Sequence, residues 1–124
     1  MAKFTRRDKL RARMKAIPVN VRKALRAQNK TNAAEMVATA RRFVRKDDYD
    51  LHNSIRHQDV SDSTRISQRV AAGGRKAVHG WWVEVGTSKM AAYPYFWPTW
   101  RMLRRRFKAR MTRAAKKAIR DSLP

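Results

Sequence analysis

Positive charge is concentrated at the two ends of this chain, and that distribution limits where a core can form. The 124 residues include 31 Lys and Arg against 9 Asp and Glu, a net charge of +22. Residues 1–30 hold eleven bases and one acid, and residues 101–124 hold ten and one, whereas residues 31–60 balance at five and five. Because charged side chains stay in water, each basic end can contribute to a core only through one apolar helix face.

A repeat of apolar and amide side chains at helical spacing predicts the first long helix. The helix is expected to begin at Asn20, a residue type that caps helix N-termini, and to end near residues 46–48. The repeating positions are Val21, Leu25, Gln28, Asn32, Met36, Ala40 and Phe43. Because proline interrupts helical hydrogen bonding, residues 1–18 are expected to form a separate basic arm or short helix. Residues 19–124 are expected to form a single α+β domain.

The middle of the chain predicts strands. Residues 54–60 and 64–71 are short β-like segments, and the Ser61-Asp62-Ser63 link between them is typical of a turn, so they should pair as a hairpin. Residues 76–85 are expected to form a third strand, with a bulge or a close backbone approach at Gly80. The expected fold is α+β: a small antiparallel sheet of three or four strands packed by a long N-terminal helix and a long C-terminal helix.

A second long helix is expected to begin at Pro98, since the first turn of a helix tolerates proline. Its apolar face is marked by Trp100, Leu103, Phe107, Met111, Ala114 and Ala118. Its opposite face carries Arg101, Arg104, Arg105, Lys108, Arg113, Lys116, Lys117 and Arg120. The arm adds Arg6, Arg7, Arg11 and Arg13. These bases are expected to face a polyanion, with nucleic acid as the first candidate and an acidic protein as the alternative.

The sequence offers little that could perform catalysis. His52, His57 and His79 lack metal-ligand spacing, there is no cysteine, and no glycine-rich phosphate loop appears. We therefore expect neither an enzyme nor a cofactor or metal. A small nuclease in which His57 and Glu84 meet across the sheet is the remaining catalytic alternative, and it is much weaker than a structural role for both residues.

Glu84 stands in the most aromatic part of the chain. On the expected strand it shares a face with Trp82, while Val83 and Val85 share the other. A carboxylate in apolar surroundings is costly unless it is paired. We expect Glu84 to accept hydrogen bonds from an arginine or from the backbone of the loop at residues 86–88.

The aromatic residues near Glu84 are not expected to form one stacking platform for bases. Trp81 and Trp82 are adjacent, so a strand would send them to opposite sides, one to the core and one to an interface. Trp97, Trp100 and Phe107 follow helical spacing, which is typical of a core.

The same part of the chain resembles a known family. A strand ending in Glu-Val-Gly-Thr, a short Met-containing loop and two prolines before a helix are similar to head–tail joining proteins of tailed phages. The closest resemblance is to the neck or tail-completion family typified by the tenth gene product of a lambdoid phage. An upstream Leu-x-x-Ser-Ile element of that family is also present, and the similarity covers about residues 20–121. The matching residues are Leu51, Ser54, Ile55, Trp82, Glu84, Gly86, Thr87, Met90, Pro94, Phe96 and Pro98.

This resemblance implies a structural assembly protein at the head–tail joint of a virion. Its expected partners are further copies of itself in a ring, six-fold in most of the family, and neighbouring neck, stopper, tail-terminator or tail-tube proteins. DNA passing through the ring would be met by non-specific phosphate proximity. The protein is expected to be made in the host bacterial cytoplasm and to belong to a phage, a prophage or a gene transfer agent.

A free-standing basic protein that binds DNA or RNA is the alternative function. It would show tight, strongly salt-dependent binding by the isolated monomer. No membrane partner is expected in either case, because no apolar run approaches the roughly 18 residues that span a bilayer.

Overall fold

Two long helices contain most of the regular structure of this chain. The computed structural model describes residues 6–44, 49–74, 77 and 80–123. In chain order the elements are α1 (Arg6–Phe43), α2 (Asp50–Ser54), β1 (Arg56–Asp59), β2 (Gln68–Ala71), α3 (Gly80–Val85) and α4 (Trp97–Ser122). The α+β class and both long helices are confirmed.

Helix α1 is continuous through Pro18, so the predicted break before this residue is wrong. Asn20 does not cap a new helix, and its amide instead donates to the Ser122 hydroxyl at 2.8 Å. The flanking Arg, Lys, Ala, Leu and Met residues favour helix strongly enough to continue it across a proline that costs about 3 kcal/mol. Residues 1–5, which belong to the predicted arm, lie outside the described residues.

Helices α1 and α4 pack antiparallel. The hydrogen bond between Asn20 and Ser122 joins the first half of α1 to the last turn of α4. Farther along, Glu35 of α1 forms an ion pair with Arg106 of α4 at 3.1 Å and a second one with Arg110. Because Ser122 is the last residue of α4, residues 6–19 of α1 extend past its end, over about 20 Å at 1.5 Å per residue.

The predicted hairpin is confirmed. β1 and β2 pair antiparallel with His57 opposite Val70, and they form a two-stranded sheet, which is the whole of the sheet within the described ranges. Two arginines one turn apart on α1 hold the hairpin against this helix: Arg26 Nε contacts Asp59 Oδ2 at 2.7 Å, and Arg22 donates to the carbonyls of Asp62 and Ser63.

The loop of the hairpin is organised by its aspartates. One carboxylate oxygen of Asp62 accepts hydrogen bonds from the backbone and hydroxyl of Thr64 and from the backbone of Arg65. These bonds, the Thr64 hydroxyl first, lower the pKa of Asp62 below its ordinary value. Hydrogen bonds from Ser61, then Arg26, likewise hold the pKa of Asp59 well below its usual range. Both carboxylates therefore stay charged to a lower pH in the folded protein than in the unfolded chain.

The prediction of a third strand is wrong at residues 80–85, which form the short helix α3. A strand would send Val83 and Glu84 to opposite faces, whereas the helix buries both of them and leaves Trp81, Trp82 and Val85 exposed. From this helical position the carboxylate of Glu84 reaches the backbone N–H groups of Tyr95, Phe96 and Trp97. Residues 76, 78 and 79 of the predicted strand lie outside the described residues.

The main core lies where α1 meets the segments between α2 and α4. Its buried members are Val37, Ala40, Val44, Leu51, Ile55, Ala77, Val83 and Tyr95. A smaller cluster joins Met36 of α1 to Leu103 and Phe107 of α4. Phe43 and Trp100, which helical spacing assigned to the apolar faces, are 46% and 39% exposed. Phe43 ends α1 beyond this contact, and Trp100 lies at the edge of the α1–α4 interface.

Replacing Pro18 with Ala should stabilise the protein. The change restores a backbone N–H to the middle of α1 and removes a proline that costs about 3 kcal/mol, of which about 1 kcal/mol is returned as chain entropy in the unfolded state. We expect the free energy of unfolding in urea to rise by about 2 kcal/mol, with no loss of helical circular dichroism. Val19→Ala, at the exposed neighbouring position, is the control and should change stability by less than about 1 kcal/mol. A lower stability for Pro18→Ala would contradict a continuous α1.

Candidate functional site

Glu84 binds the N-terminus of α4. Its Oε2 accepts the backbone N–H of Tyr95 at 2.9 Å and that of Phe96 at 3.0 Å, and its Oε1 accepts the N–H of Trp97 at 3.0 Å. The first N–H groups of a helix have no partner within it, and the aligned peptide dipoles favour an anion at this end. The buried carboxylate, 7% exposed, therefore satisfies the N–H groups of the first helical residue, of the N-cap residue Phe96 and of Tyr95 just before it.

The expected partner of Glu84 was wrong, although the expectation that it is paired is confirmed. Within the described ranges its carboxylate accepts neither from an arginine nor from residues 86–88, but from the segment eleven to thirteen residues downstream. No side chain caps α4 from its own N-cap position, Phe96. The remote carboxylate replaces the local Ser, Thr, Asp or Asn cap that the sequence lacks here.

Tyr95 is the residue at the centre of this site that sequence analysis missed. It is 2% exposed, and its hydroxyl donates to the Gly80 carbonyl at 3.3 Å. A Cβ at Gly80 would lie 3.0 Å from Leu51 Cδ1 and 3.2 Å from the Tyr95 hydroxyl, so the expected close approach at Gly80 is confirmed. Burial, and then the charge of Glu84, raise the pKa of Tyr95 to about 12.

The chain between α3 and α4 follows a tight path. Gly86 has φ of +79°, and a Cβ there would lie 2.8 Å from the Ala92 nitrogen, so glycine is required on both counts. Thr87 and Met90 exchange backbone hydrogen bonds around a turn, and Tyr93 N–H donates to Val83 O at 2.8 Å. Pro94 is exposed. The segment is thereby fixed to α3 before it reaches Glu84.

The residues matched by the family resemblance fall into two groups. Leu51 and Ile55 are buried in the main core, Ser54 joins Leu51 O to the Gly73 N–H through its hydroxyl, and Phe96 is half-buried against both clusters. Trp82, Thr87 and Pro98 are exposed. The Leu-x-x-Ser-Ile element packs against the α3 segment, as the close approach of Leu51 to Gly80 shows.

Large aromatic side chains are exposed around α3. Trp81 is 64% exposed, Trp82 51%, and Tyr93 and Trp97 49% each. Trp81 and Trp97 line one cavity of about 200 Å³ that also reaches Glu84. We call these four residues the aromatic surface. The backbones of Trp97 and Tyr93 are held by hydrogen bonds to Glu84 and to the Val83 carbonyl, and Trp81 and Trp82 belong to α3.

The predicted polyanion-facing bases lie on two exposed stretches. Arg6, Arg7 and Arg11 are on the part of α1 that extends past α4, and the side chain of Arg13 lies outside the described residues. All eight predicted bases of α4 are exposed. The two ion pairs of Glu35 engage Arg106 and Arg110, which the prediction did not include.

The residues of the catalytic alternative have other contacts. A ring nitrogen of His57 lies 3.3 Å from Gln68 Oε1, and Glu84 is occupied by backbone N–H groups. His52 contacts Asn53, and His79 lies outside the described residues. Among the described residues, no group of three or more His, Cys, Asp or Glu could hold a metal ion. Within the same ranges, no helix has the length and apolar character to cross a membrane.

Comparison with known proteins finds no family model that matches the chain, and no curated protein or solved structure that is similar to it.

Replacing Glu84 with Ala should destabilise the protein by about 2 to 4 kcal/mol, because three N–H groups near the core lose a charged acceptor. Glu84→Gln keeps an acceptor oxygen and should lose about half as much. The free energy of unfolding in urea measures both. A loss below about 0.5 kcal/mol for Glu84→Ala would show that the cap contributes little.

Tyr95 should remain protonated in the folded protein after the unfolded chain has begun to ionise. Because its folded pKa is raised from 10.0 to about 12, its stabilising contribution is complete below pH 10 and decreases as pH rises towards about 12. Phenolate absorbance should include a step near the upper end of this window that is absent from Tyr95→Phe. The same step in Tyr95→Phe would contradict the assignment.

Proposed function

We propose that this protein is a structural assembly protein of a virion, a neck or tail-completion component at the head–tail joint. The observation that carries the proposal is the exposure of the four side chains of the aromatic surface. Tryptophan and tyrosine supply most of the binding energy at protein interfaces, and clustered exposed apolar side chains mark such contacts. Trp81, Trp82, Tyr93 and Trp97 are 49% to 64% exposed while their backbones are fixed, so an interface formed there needs little reordering.

The partner at this surface is proposed to be another copy of the chain, in a closed ring, with six copies as the expected number. The resemblance to the phage family supports this partner, because most of the residues that carry it lie between Trp82 and Pro98, the same segment that supplies the aromatic surface. Neighbouring neck, stopper, tail-terminator or tail-tube proteins would bind other faces of the ring. Localisation to the head–tail interface of a phage, prophage or gene transfer agent particle follows from the same proposal.

The exposed bases would face the DNA that passes the joint. The described part of α1 beyond α4 and the outer face of α4 together place eleven of the predicted bases in solvent. A cationic surface attracts phosphate without reading sequence, and its affinity falls steeply with salt. This is the contact that a conduit for DNA requires, since any sequence must pass.

The decisive experiment is complementation in producing cells that lack this gene. Wild-type protein should restore particles with heads joined to tails, counted by electron microscopy, whereas the double variant Trp81→Ala, Trp82→Ala should leave the two apart. Interface tryptophans contribute about 2 kcal/mol or more each, so the contact between copies should weaken by about 30-fold for each tryptophan, or about 1,000-fold for the double variant, as measured by native mass spectrometry.

The matched control is Ile119→Ala, which removes an exposed apolar side chain of α4 away from the aromatic surface. It should assemble like wild type, and all variants should unfold at similar temperatures. Joined particles in cells without the gene would overturn the proposal.

A free-standing nucleic-acid-binding protein is the second candidate, favoured by the same exposed bases. It predicts that the isolated monomer binds duplex DNA tightly, with log K falling against log salt by about 0.9 per neutralised phosphate. Tight monomer binding together with normal particles in the deletion strain would select this alternative.

A further inference from the structure

A groove between α1 and α4 forms a site separate from the aromatic surface. Its volume is about 560 Å³, within the range of small-molecule sites. Trp100, Arg104 and Lys108 contribute to it from α4, and Asn29 and Asn32 from α1. Successive residues of a helix lie about 100° apart, so these α4 residues share one flank, whereas Arg106 and Arg110 lie on the flank that meets Glu35.

The groove contains a partly exposed aromatic face. Trp100 is 39% exposed and lies 6.4 Å, between ring centroids, from Phe107, which is 8% exposed. Phe107 thus supports the indole from the core side and leaves part of the indole open to the groove. A tryptophan held in this way can stack with a planar ring, and stacking of this kind accepts any base.

Positive charge borders this aromatic face. Arg104, Arg105 and Lys108 line the groove and are exposed. The ion pairs of the described residues neutralise Arg106 and Arg110 but none of these three. A ligand here must therefore combine anionic groups with a planar ring.

Amide side chains complete the lining. Asn32 is 3% exposed; its Oδ1 accepts from Gln28 Nε2 at 3.0 Å, and its Nδ2 lies 3.5 Å from Phe107 O. Asn29 is partly exposed one turn earlier on α1. The amide of Asn32 is thus engaged within the protein, and Asn29 is the amide that can donate to and accept from the edge of a base.

We propose that this groove binds an unpaired nucleotide of a nucleic-acid strand, with its base stacked on Trp100 and its phosphates held by Arg104, Arg105 and Lys108. Inorganic phosphate would not contact the indole of Trp100. An apolar ligand would leave Arg104, Arg105 and Lys108 without an anionic partner. A paired base is stacked within its duplex and cannot reach the indole, so the site selects single-stranded segments or strand ends. The inference does not depend on the ring contact, because no residue of the aromatic surface lines the groove; Arg104, Arg105 and Lys108 are the residues that the groove shares with the bases proposed to face DNA.

The test compares a short oligothymidine with a blunt duplex of the same length, by fluorescence anisotropy. Trp100→Ala should weaken oligothymidine binding about 5- to 100-fold, the value of one stacked base, and leave duplex binding within about twofold. Trp100→Phe should retain most of the affinity. The double variant Arg104→Gln, Lys108→Gln should lower the salt slope for oligothymidine by about 1.4, at about 0.7 per phosphate contact.

Two matched controls distinguish binding in the groove from effects of the protein's overall positive charge and of its other tryptophans. Trp82→Ala removes a tryptophan of the aromatic surface, and Arg113→Gln removes an exposed α4 arginine that does not line the groove. Neither should affect the preference for oligothymidine over duplex. Titration of the wild-type protein with oligothymidine should also shift the Trp100 indole N–H resonance, a result that requires no folded variant.

Equal weakening of both nucleic acids by Trp100→Ala, or an unshifted indole resonance at saturation, would overturn the proposal. Polyglutamate is the remaining probe. If polyglutamate bound as tightly as oligothymidine, and if Trp100→Ala weakened its binding by the same factor, the groove would be a site for acidic protein instead. Failure of this test would leave ring formation and particle joining untouched, so the two proposals can fail separately.

Discussion

The buried carboxylate of Glu84 joins α3 to the start of α4, beside the hydrogen bonds from Tyr93 to the Val83 carbonyl and from Tyr95 to the Gly80 carbonyl. Helix α4 brings a basic, amphipathic surface to the core, but its first N–H groups have no capping side chain nearby. From α3, Glu84 accepts the N–H groups of Trp97, of the N-cap residue Phe96 and of the preceding Tyr95, and this helps to fix where α4 begins relative to the main core. The positions of Tyr95 in the core, of Trp97 on the aromatic surface and of Trp100 in the groove all follow from that starting point. One buried anion thus sets the geometry of both candidate sites.

Much of the architecture could be predicted from the sequence because it depends on local periodicity. The helical repeat predicted α1 and α4, and the turn at residues 61–63 predicted the hairpin. The prediction failed at Pro18 because a rule for proline alone does not weigh the helix preference of the residues on both sides, which opposes the effect of the proline. The prediction failed at α3 because Trp82, Val83, Glu84 and Val85 alternate like a strand. The conformation there depends instead on the hydrogen bonds between Glu84 and the segment Tyr95–Trp97.

The two tryptophans that matter most to the proposals were also the hardest to place. Trp97 and Trp100 have spacing that fits a core, and only the packing of α1 reveals that both stay partly exposed. The intervening Thr99, which is buried and donates to Tyr95 O at 2.6 Å, occupies the inward position instead. A tryptophan stripe on a helix therefore distinguishes core from surface only when the neighbouring helix is known. The result is two aromatic sites of different chemistry, one beside carboxylate-capped backbone and one beside free cations.

The extension of α1 beyond α4 has a thermodynamic consequence for whatever it meets. A basic arm that folds only on its target must lose backbone entropy at that moment, about 1 to 2 kcal/mol for each residue ordered. Residues 6–19 are already helical and share one helix with the packed body, so their charges are presented at fixed spacing. Association through residues 6–19 should therefore proceed without the large negative heat-capacity change of coupled folding. Its enthalpy should vary little with temperature, as for two preformed surfaces that exchange counterions.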